Sequence, residues 1–144
     1  MVMLKQASLI SLILALSISS IWAQKVSDNI DSLLIGIWKG TSICQLKNSP
    51  CHDENVVYHI SKKAGADSFY IDAMKIINGK EEEMGILAFV YNKKKHQLIS
   101  TSYHGNWVFN IEVNKINGTL FLRGVLYRII KVVKFDNSHA LITK

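Results

Sequence analysis

Apolar and polar side chains alternate along most of the chain after residue 35, as they do in strands with one buried face. Between residues 106 and 113, Trp107, Phe109, Ile111 and Val113 fall on one side of such a strand. Residues 97–103 differ because both faces of that segment carry hydroxyl groups, so we expect an interior that is not uniformly apolar. Seven or eight strands are predicted, and they cover residues 35–44, 56–62, 68–77, 82–91, 97–103, 106–113, 119–122 and 125–134.

Short turn signals separate these strands. Residues 78–79 (Asn-Gly), 104–106 (His-Gly-Asn) and 117–118 (Asn-Gly) permit the positive backbone angles that tight hairpin turns require. Because hairpin turns join antiparallel neighbours, the repeat of strand and turn predicts a meander. A meander of this length either closes or leaves two exposed edges, and closure is the commoner solution. The expected fold is therefore all-β, an up-and-down antiparallel barrel of about eight strands.

The first residues have a different pattern. Lys5 precedes an apolar and hydroxyl run that ends at Ser19, and the small residue Ala23 follows, which is the organisation of a secretory signal peptide. The run is shorter than the roughly 20 apolar residues that a membrane-spanning helix needs. We expect a signal peptide at residues 1–23, with an uncleaved anchor as the alternative, and one β-barrel domain at 24–144 that begins with a short helical turn. The predicted location is secreted or periplasmic, with no stable membrane span after cleavage.

The composition is moderately basic, with a net charge of +6. The basic residues are spread over several hairpin tips, such as residues 93–95, and lack the aromatic platform on which single-stranded nucleic acids stack. We therefore expect no nucleic-acid partner. Residues 117–119 (Asn-Gly-Thr) match a glycosylation acceptor, which has meaning only in a eukaryotic host, so whether Asn117 is glycosylated stays open.

Both cysteines of the chain, Cys44 and Cys51, lie in the segment CQLKNSPCHDE. An exported chain favours a disulfide between them. Structural zinc sites space cysteines about two to four residues apart and use a second ligand pair, whereas six residues intervene here without a second cysteine pair. We expect a disulfide on the loop between the first two strands and no metal, with metal ligation or reactive thiols as the open alternatives.

An acidic and basic cluster, His52, Asp53 and Glu54, follows the second cysteine. It is either an acid–base group or a solvated turn, and we favour the turn because proton transfer needs positioned groups. The sequence has no triad spacing, glycine-rich phosphate loop or helical histidine pair. We therefore expect no catalytic residue and no cofactor, and an enzyme that uses this cluster is the third-ranked hypothesis.

Gly36-Ile37-Trp38 on the first strand and Arg128 on the last long strand resemble the signature of lipocalin-like, or calycin, barrels. The resemblance implies a tryptophan near the closed end of the barrel that an arginine of the final strand covers. Such stacking of a guanidinium on an indole contributes roughly 0.5 to 2 kcal/mol. The chain departs from typical lipocalins in its closely spaced cysteines. The run from GIWKGTSIC to CHDENVVYHI also looks like small secreted bacterial proteins.

A barrel of about eight strands is either filled by side chains or wide enough for one small ligand. Our first hypothesis is a non-catalytic barrel that binds a small apolar or amphipathic molecule in its lumen. The candidate ligand-binding residues are Trp38, Tyr58, Phe69, Ile71, Phe89, Ser100, Ser102, Trp107, Phe109 and Arg128. The alternative is a protein-interaction module, such as a periplasmic or secreted inhibitor or an envelope component, that acts through the disulfide loop. An interior cavity of several hundred cubic ångströms would favour the first hypothesis.

Overall fold

The computed structural model describes residues 30–102 and 105–135. The predicted signal peptide, residues 1–23, lies outside the described residues. The chain divides into two units, Met1–Leu34 and Ile35–Lys144. In the first unit, the described residues 30–34 form one short helix, α1. No helix in the described ranges combines the length and the apolar character needed to cross a bilayer.

The described part of the second unit consists of antiparallel strands that pair in chain order. They are β1 (Gly36–Cys44), β2 (Glu54–Lys62), β3 (Ser68–Ile77), β4 (Lys80–Asn92), β5 (Gln97–Ser102), β6 (Gly105–Glu112), β7 (Lys115–Leu122) and β8 (Val125–Lys134). Because β1 also pairs with β8, the sheet closes into a barrel. The all-β up-and-down barrel of eight strands predicted from the alternation is confirmed.

Two of the predicted turns fall within the described residues, and one of them is wrong. Asn78 and Gly79 join β3 to β4 with φ angles of 51° and 79°, as the Asn-Gly signal predicts. The second Asn-Gly pair, residues 117–118, lies inside β7 instead. The chain turns earlier, at Asn114 (φ 57°), so Val113 is exposed in the turn and does not face the interior.

The physical reason for this earlier turn is the apolar face of β7. Ile116 is fully buried, so a strand that begins at residue 115 buries one more large side chain than a strand that begins at residue 119. Gly118 then opposes Phe109 on β6. A Cβ atom at residue 118 would collide with the Phe109 ring, so this glycine makes room for an aromatic side chain and does not form a turn.

One end of the barrel is filled with large apolar side chains. The odd-numbered strands of an up-and-down barrel run in the same direction, so their first residues lie at the same end. Four side chains near those beginnings are at most 2% exposed, and they are Trp38, Phe69, Leu98 and Ile116. We call this the filled end. The opposite end, where the odd-numbered strands finish, contains the cavity described next.

Candidate functional site

The barrel contains a cavity of about 340 Å³ that is lined mainly by apolar and aromatic side chains. Six predicted ligand-binding residues line it, namely Tyr58, Ile71, Phe89, Trp107, Phe109 and Arg128. The other four lie elsewhere: Trp38 and Phe69 belong to the filled end, and Ser100 and Ser102 lie on β5 outside the cavity wall. Ser100 is nevertheless buried, as expected for a strand with hydroxyl groups on both faces.

The sequence reasoning missed several lining residues, including Ser42, Glu54, Ala73 and Leu120. Ala73 and Leu120 are small or ordinary apolar residues, and only the strand register identifies them as neighbours of the aromatic residues. Glu54 was interpreted as part of a solvated turn, and Ser42, although on a predicted strand, is a polar residue that nothing nearby marks as a cavity residue. The signal that could have found Ser42 is its spacing of four residues from Trp38, which places both side chains on the same face of β1.

Phe109 is the centre of an aromatic group on the cavity wall. Its ring stacks nearly parallel to Phe89, with centroids 5.1 Å apart, and to Tyr58, with centroids 5.9 Å apart. Trp107 meets the same ring edge-on at 6.0 Å. Offset stacks and edge-on contacts are favourable geometries for aromatic pairs, so this group forms a firm, apolar side of the cavity.

Arg128 supplies the positive charge at the cavity, and several protein acceptors lie around one of its terminal nitrogens, Nη1. Its Nη1 atom lies 3.4 Å from Oε2 of Glu54 and donates to Oγ of Ser42 at 3.2 Å. The carbonyl oxygens of Ser42 and His52 also accept from Nη1, at 3.3 and 3.2 Å. Both charged side chains are largely buried, with 11% of Arg128 and 15% of Glu54 exposed. The pair therefore forms a neutral, hydrogen-bonded cluster.

The expected stacking of Arg128 on Trp38 is wrong. In the β1–β8 register, Arg128 pairs with Cys44, whereas Trp38 pairs with Lys134. Six residues of strand separate these positions, which corresponds to roughly 20 Å. The cation over the Trp38 ring is Lys134, whose Nζ lies 5.7 Å from the centroid. Arg128 instead lies against the ring of Tyr127, at 5.3 Å.

Tyr58 brings a hydroxyl group to the cavity wall. Burial raises the pKa of this phenol, the nearby Arg128 guanidinium lowers it to a smaller extent, and Glu54 raises it further. Because only 3% of Tyr58 is exposed, the charged phenolate is disfavoured and the hydroxyl stays neutral. Tyr58 is thus a neutral donor or acceptor, not a base.

Trp107 carries a buried polar atom without a protein partner. Its Nε1 is inaccessible to solvent and has no acceptor among residues 30–102 and 105–135. An indole N–H can only donate, and buried donors in folded proteins are nearly always paired. Trp107 is therefore a side chain at the cavity wall with unused hydrogen-bonding capacity.

The predicted disulfide between Cys44 and Cys51 is present on the loop between β1 and β2. Two hydrogen bonds fix the end of this loop before β2. The N–H of Cys44 donates to Oδ1 of Asp53 at 2.9 Å, and the carbonyl of His52 accepts from Arg128. The His52 side chain is 72% exposed. The described ranges contain no group of three or more His, Cys, Asp or Glu residues arranged to hold a metal ion.

The wall beside β4 is incompletely paired in the described residues. β4 pairs with β3 from Lys80 to Val90, but its register with β5 contains only the pairs of Val90, Tyr91 and Asn92. Four successive β4 residues, 84–87, line the cavity. Two of these residues, Met84 and Ile86, are also 43% and 60% exposed, so the cavity reaches the outer edge of β4. The cavity therefore extends to the separation between β4 and β5.

Comparisons of the chain with protein-family models, curated proteins and solved structures found no match. The closed eight-stranded antiparallel barrel is consistent with a lipocalin-like fold.

Proposed function

We propose that this barrel binds a small apolar or amphipathic molecule in its interior cavity and does not catalyse a reaction. The observation that carries the proposal is the uneven interior: large side chains fill one end, and a cavity of about 340 Å³ remains at the other. Small-molecule sites typically measure about 300 to 1,000 Å³ and combine apolar walls with a few polar groups. Aromatic side chains with Arg128, Glu54 and Ser42 at one side have this composition.

A binding role without catalysis agrees with the polar residues near the cavity, which are paired, uncharged or hydrogen-bonded. Arg128 and Glu54 neutralise each other, and the buried Tyr58 stays protonated. Asp53 bonds the Cys44 N–H, and the exposed His52 lies 3.9 Å from Glu54. A general base must reach the proton that it removes, and each of these groups is engaged or lies on the outer loop.

An exported location is part of this proposal. The signal-peptide pattern of residues 1–23 predicts it, and a disulfide is typical of oxidising compartments outside the cytoplasm. The alternative of a protein-interaction module receives less support. Two polar groups of the disulfide loop, the carboxylate of Asp53 and the carbonyl of His52, already accept hydrogen bonds from Cys44 and Arg128.

Filling the cavity tests the proposal. Ala73 lines the cavity, so Ala73→Phe should weaken the binding of Nile red, a neutral fluorescent dye, at least about tenfold, or about 1.4 kcal/mol. The matched control is Ala88→Phe, since Ala88 is exposed on the neighbouring strand. Dye titration by fluorescence measures both variants.

Equal binding to both variants would place the dye outside the cavity and contradict the proposal. Native mass spectrometry of protein purified from its own host gives an independent test, because a retained small molecule should appear in the wild-type chain and be lost in Ala73→Phe.

A further inference from the structure

We infer that the filled end of the barrel docks on an anionic lipid surface. This inference goes beyond the proposed function, because it concerns the end opposite the cavity and does not depend on a bound ligand. Three observations in the described residues support it: a surplus of positive charge at this end, exposed apolar side chains among the lysines, and hydrogen bonds that join the parts of this surface.

The fold brings lysines that are scattered along the sequence to the filled end. The connections β2–β3, β4–β5 and β6–β7 lie there, together with the start of β1 and the end of β8. In these segments and the strand residues that border them, the described chain has seven lysines against two carboxylates, a surplus of five positive charges. The lysines are Lys62, Lys63, Lys93, Lys94, Lys95, Lys115 and Lys134, and the carboxylates are Asp67 and Glu112.

The cavity end lacks this surplus. Counted in the same way, its described residues carry three basic side chains against two carboxylates, and three glutamates, residues 81–83, follow directly on β4. The basic residues are Lys47, Lys80 and Arg123, and the carboxylates are Asp53 and Glu54. Because the charge is unequal along the barrel axis, a negatively charged surface attracts the filled end more strongly than the cavity end.

Two of the ammonium groups lie over aromatic rings of the filled end. Nζ of Lys134 is 5.7 Å from the centroid of Trp38, and Nζ of Lys62 is 5.1 Å from that of Phe69. The exposed lysines 93–95 have no ion-pair partner in the part of the chain that the structure describes. The positive charge therefore lies both over the end of the barrel and at its rim.

Apolar side chains are exposed among these lysines. Val113 in the β6–β7 turn is 78% exposed, and Phe135 after β8 and Ile35 before β1 are 40% and 42% exposed. At a bilayer, lysines meet the lipid phosphates while neighbouring apolar side chains enter the boundary of the acyl chains. A soluble polyanion such as heparin would engage only the lysines. The apolar residues therefore favour a lipid surface over a polyanion.

Backbone hydrogen bonds join the parts of this surface. The N–H of Ile111 donates to the carbonyl of His96 at 3.0 Å, which connects the lysine tip, residues 93–95, to the end of β6. The N–H of Lys134 donates to the carbonyl of Asn114 at 3.0 Å, which connects the β6–β7 turn to the end of β8. Because the backbone of these segments is already held in place, docking requires little further ordering of the chain.

Co-sedimentation with lipid vesicles tests the inference, with protein purified from its own host. We expect binding to phosphatidylcholine vesicles that contain about one third phosphatidylglycerol, and at least about tenfold weaker binding to phosphatidylcholine alone. The triple variant Lys93→Gln, Lys94→Gln and Lys95→Gln should weaken binding to the anionic vesicles at least about thirtyfold, since each lysine near such a surface contributes about fivefold.

The matched control removes the same charge from the cavity end, as Lys47→Gln, Lys80→Gln and Arg123→Gln. It should weaken vesicle binding by less than about threefold, because these side chains lie away from the docked surface. Circular dichroism confirms that both triple variants are folded.

A second pair of variants separates a bilayer from a polyanion. Val113→Ser should weaken binding to the anionic vesicles about three- to tenfold and leave retention on a heparin column unchanged, because only a bilayer takes up the apolar side chain. Its control is Val125→Ser at the cavity end, where the 55% exposed valine should have no effect on either measurement.

Three results would overturn the inference. They are equal binding to vesicles with and without phosphatidylglycerol, equal loss of binding in the two triple variants, and retention on heparin without binding to vesicles. The last result would assign the lysines to a polyanion. The proposed function stands or falls separately, because Nile red binding in the cavity does not involve the filled end.

Discussion

At the scale of single residues, Arg128 and Glu54 connect separate parts of the barrel end that contains the cavity. The guanidinium of Arg128 on β8 contacts Ser42 on β1, Glu54 on β2 and the backbone of the disulfide loop at His52. A largely buried ion pair contributes little net stability when compared with apolar replacements, but the loss of one partner leaves the other charge unpaired. The consequence of mutation therefore depends on whether one or both charges are removed.

Arg128→Met should lower the free energy of unfolding by about 2 to 3 kcal/mol, because Glu54 and two backbone carbonyls lose their donor. The double variant Arg128→Met with Glu54→Leu should recover part of this loss, since it leaves no unpaired carboxylate. Urea unfolding monitored by circular dichroism measures both. A single variant that costs less than about 0.5 kcal/mol would show that the pair behaves as a solvent-exposed one.

At the scale of elements, the β1–β8 pairing is the closure on which the barrel depends. Its register runs from Trp38 opposite Lys134 to Cys44 opposite Arg128. Backbone hydrogen bonds extend it at both ends, from Phe135 to Ile37 at 2.8 Å and from Gln45 to Tyr127 at 2.9 Å. At Gly40 the two backbones leave no room for a side chain, because a Cβ atom there would collide with the carbonyl oxygen of Lys131 and lie 2.8 Å from the Cα of Val132.

Gly40→Ala should therefore destabilise the fold by about 3 kcal/mol or more, because the atoms in the way belong to the backbone of β8 and cannot rotate aside. Lys39→Ala is the matched control on the same strand, since the Lys39 side chain is exposed and its Nζ lies over the ring of Phe135, 3.8 Å from the centroid. It should cost no more than about 1 kcal/mol. Thermal unfolding compares the two, and hydrogen exchange should show faster opening of β1 and β8. Equal melting temperatures would contradict this account of the closure.

At the scale of the whole barrel unit, a packed end and a hollow end have different roles. The filled end around Trp38 and Phe69 supplies apolar burial, and the cavity leaves space for a ligand at the cost of packing. The disulfide between Cys44 and Cys51 connects the loop at the cavity end, although neither cysteine lines the cavity. Stability and ligand binding should therefore respond differently to its removal.

Replacing both cysteines, as Cys44→Ser with Cys51→Ser, should lower the free energy of unfolding by about 2 to 3 kcal/mol through the entropy of the opened loop. The dissociation constant for Nile red should change by less than about twofold, because the aromatic wall is untouched. Chemical unfolding and dye titration on the same sample separate the two quantities. Abolished dye binding in a folded variant would mean that the loop, and not the cavity, holds the dye.

Several features of this structure could be predicted from particular residues. Alternation around Phe109 and Ile111 predicted an inward face, and Asn78-Gly79 predicted a hairpin turn, because both signals act over a few neighbouring residues. The turn predicted from the Asn-Gly pair at residues 117–118 was wrong because contacts between distant parts of the chain decide the structure there. There, burial of Ile116 and the approach of Phe109 to Gly118 outweigh the local preference for a turn.

The sequence by itself therefore determined the approximate positions of most strands, several of their inward faces and the order in which they pair, and it favoured the disulfide. Only the tertiary structure decided which inward residues meet. Arg128 lies beside Glu54 and not beside Trp38, and Trp107 lines the cavity whereas Trp38 belongs to the filled end. The physical reason is that periodicity and turn chemistry are local, whereas the β1–β8 register and the space left inside depend on side chains distant along the chain.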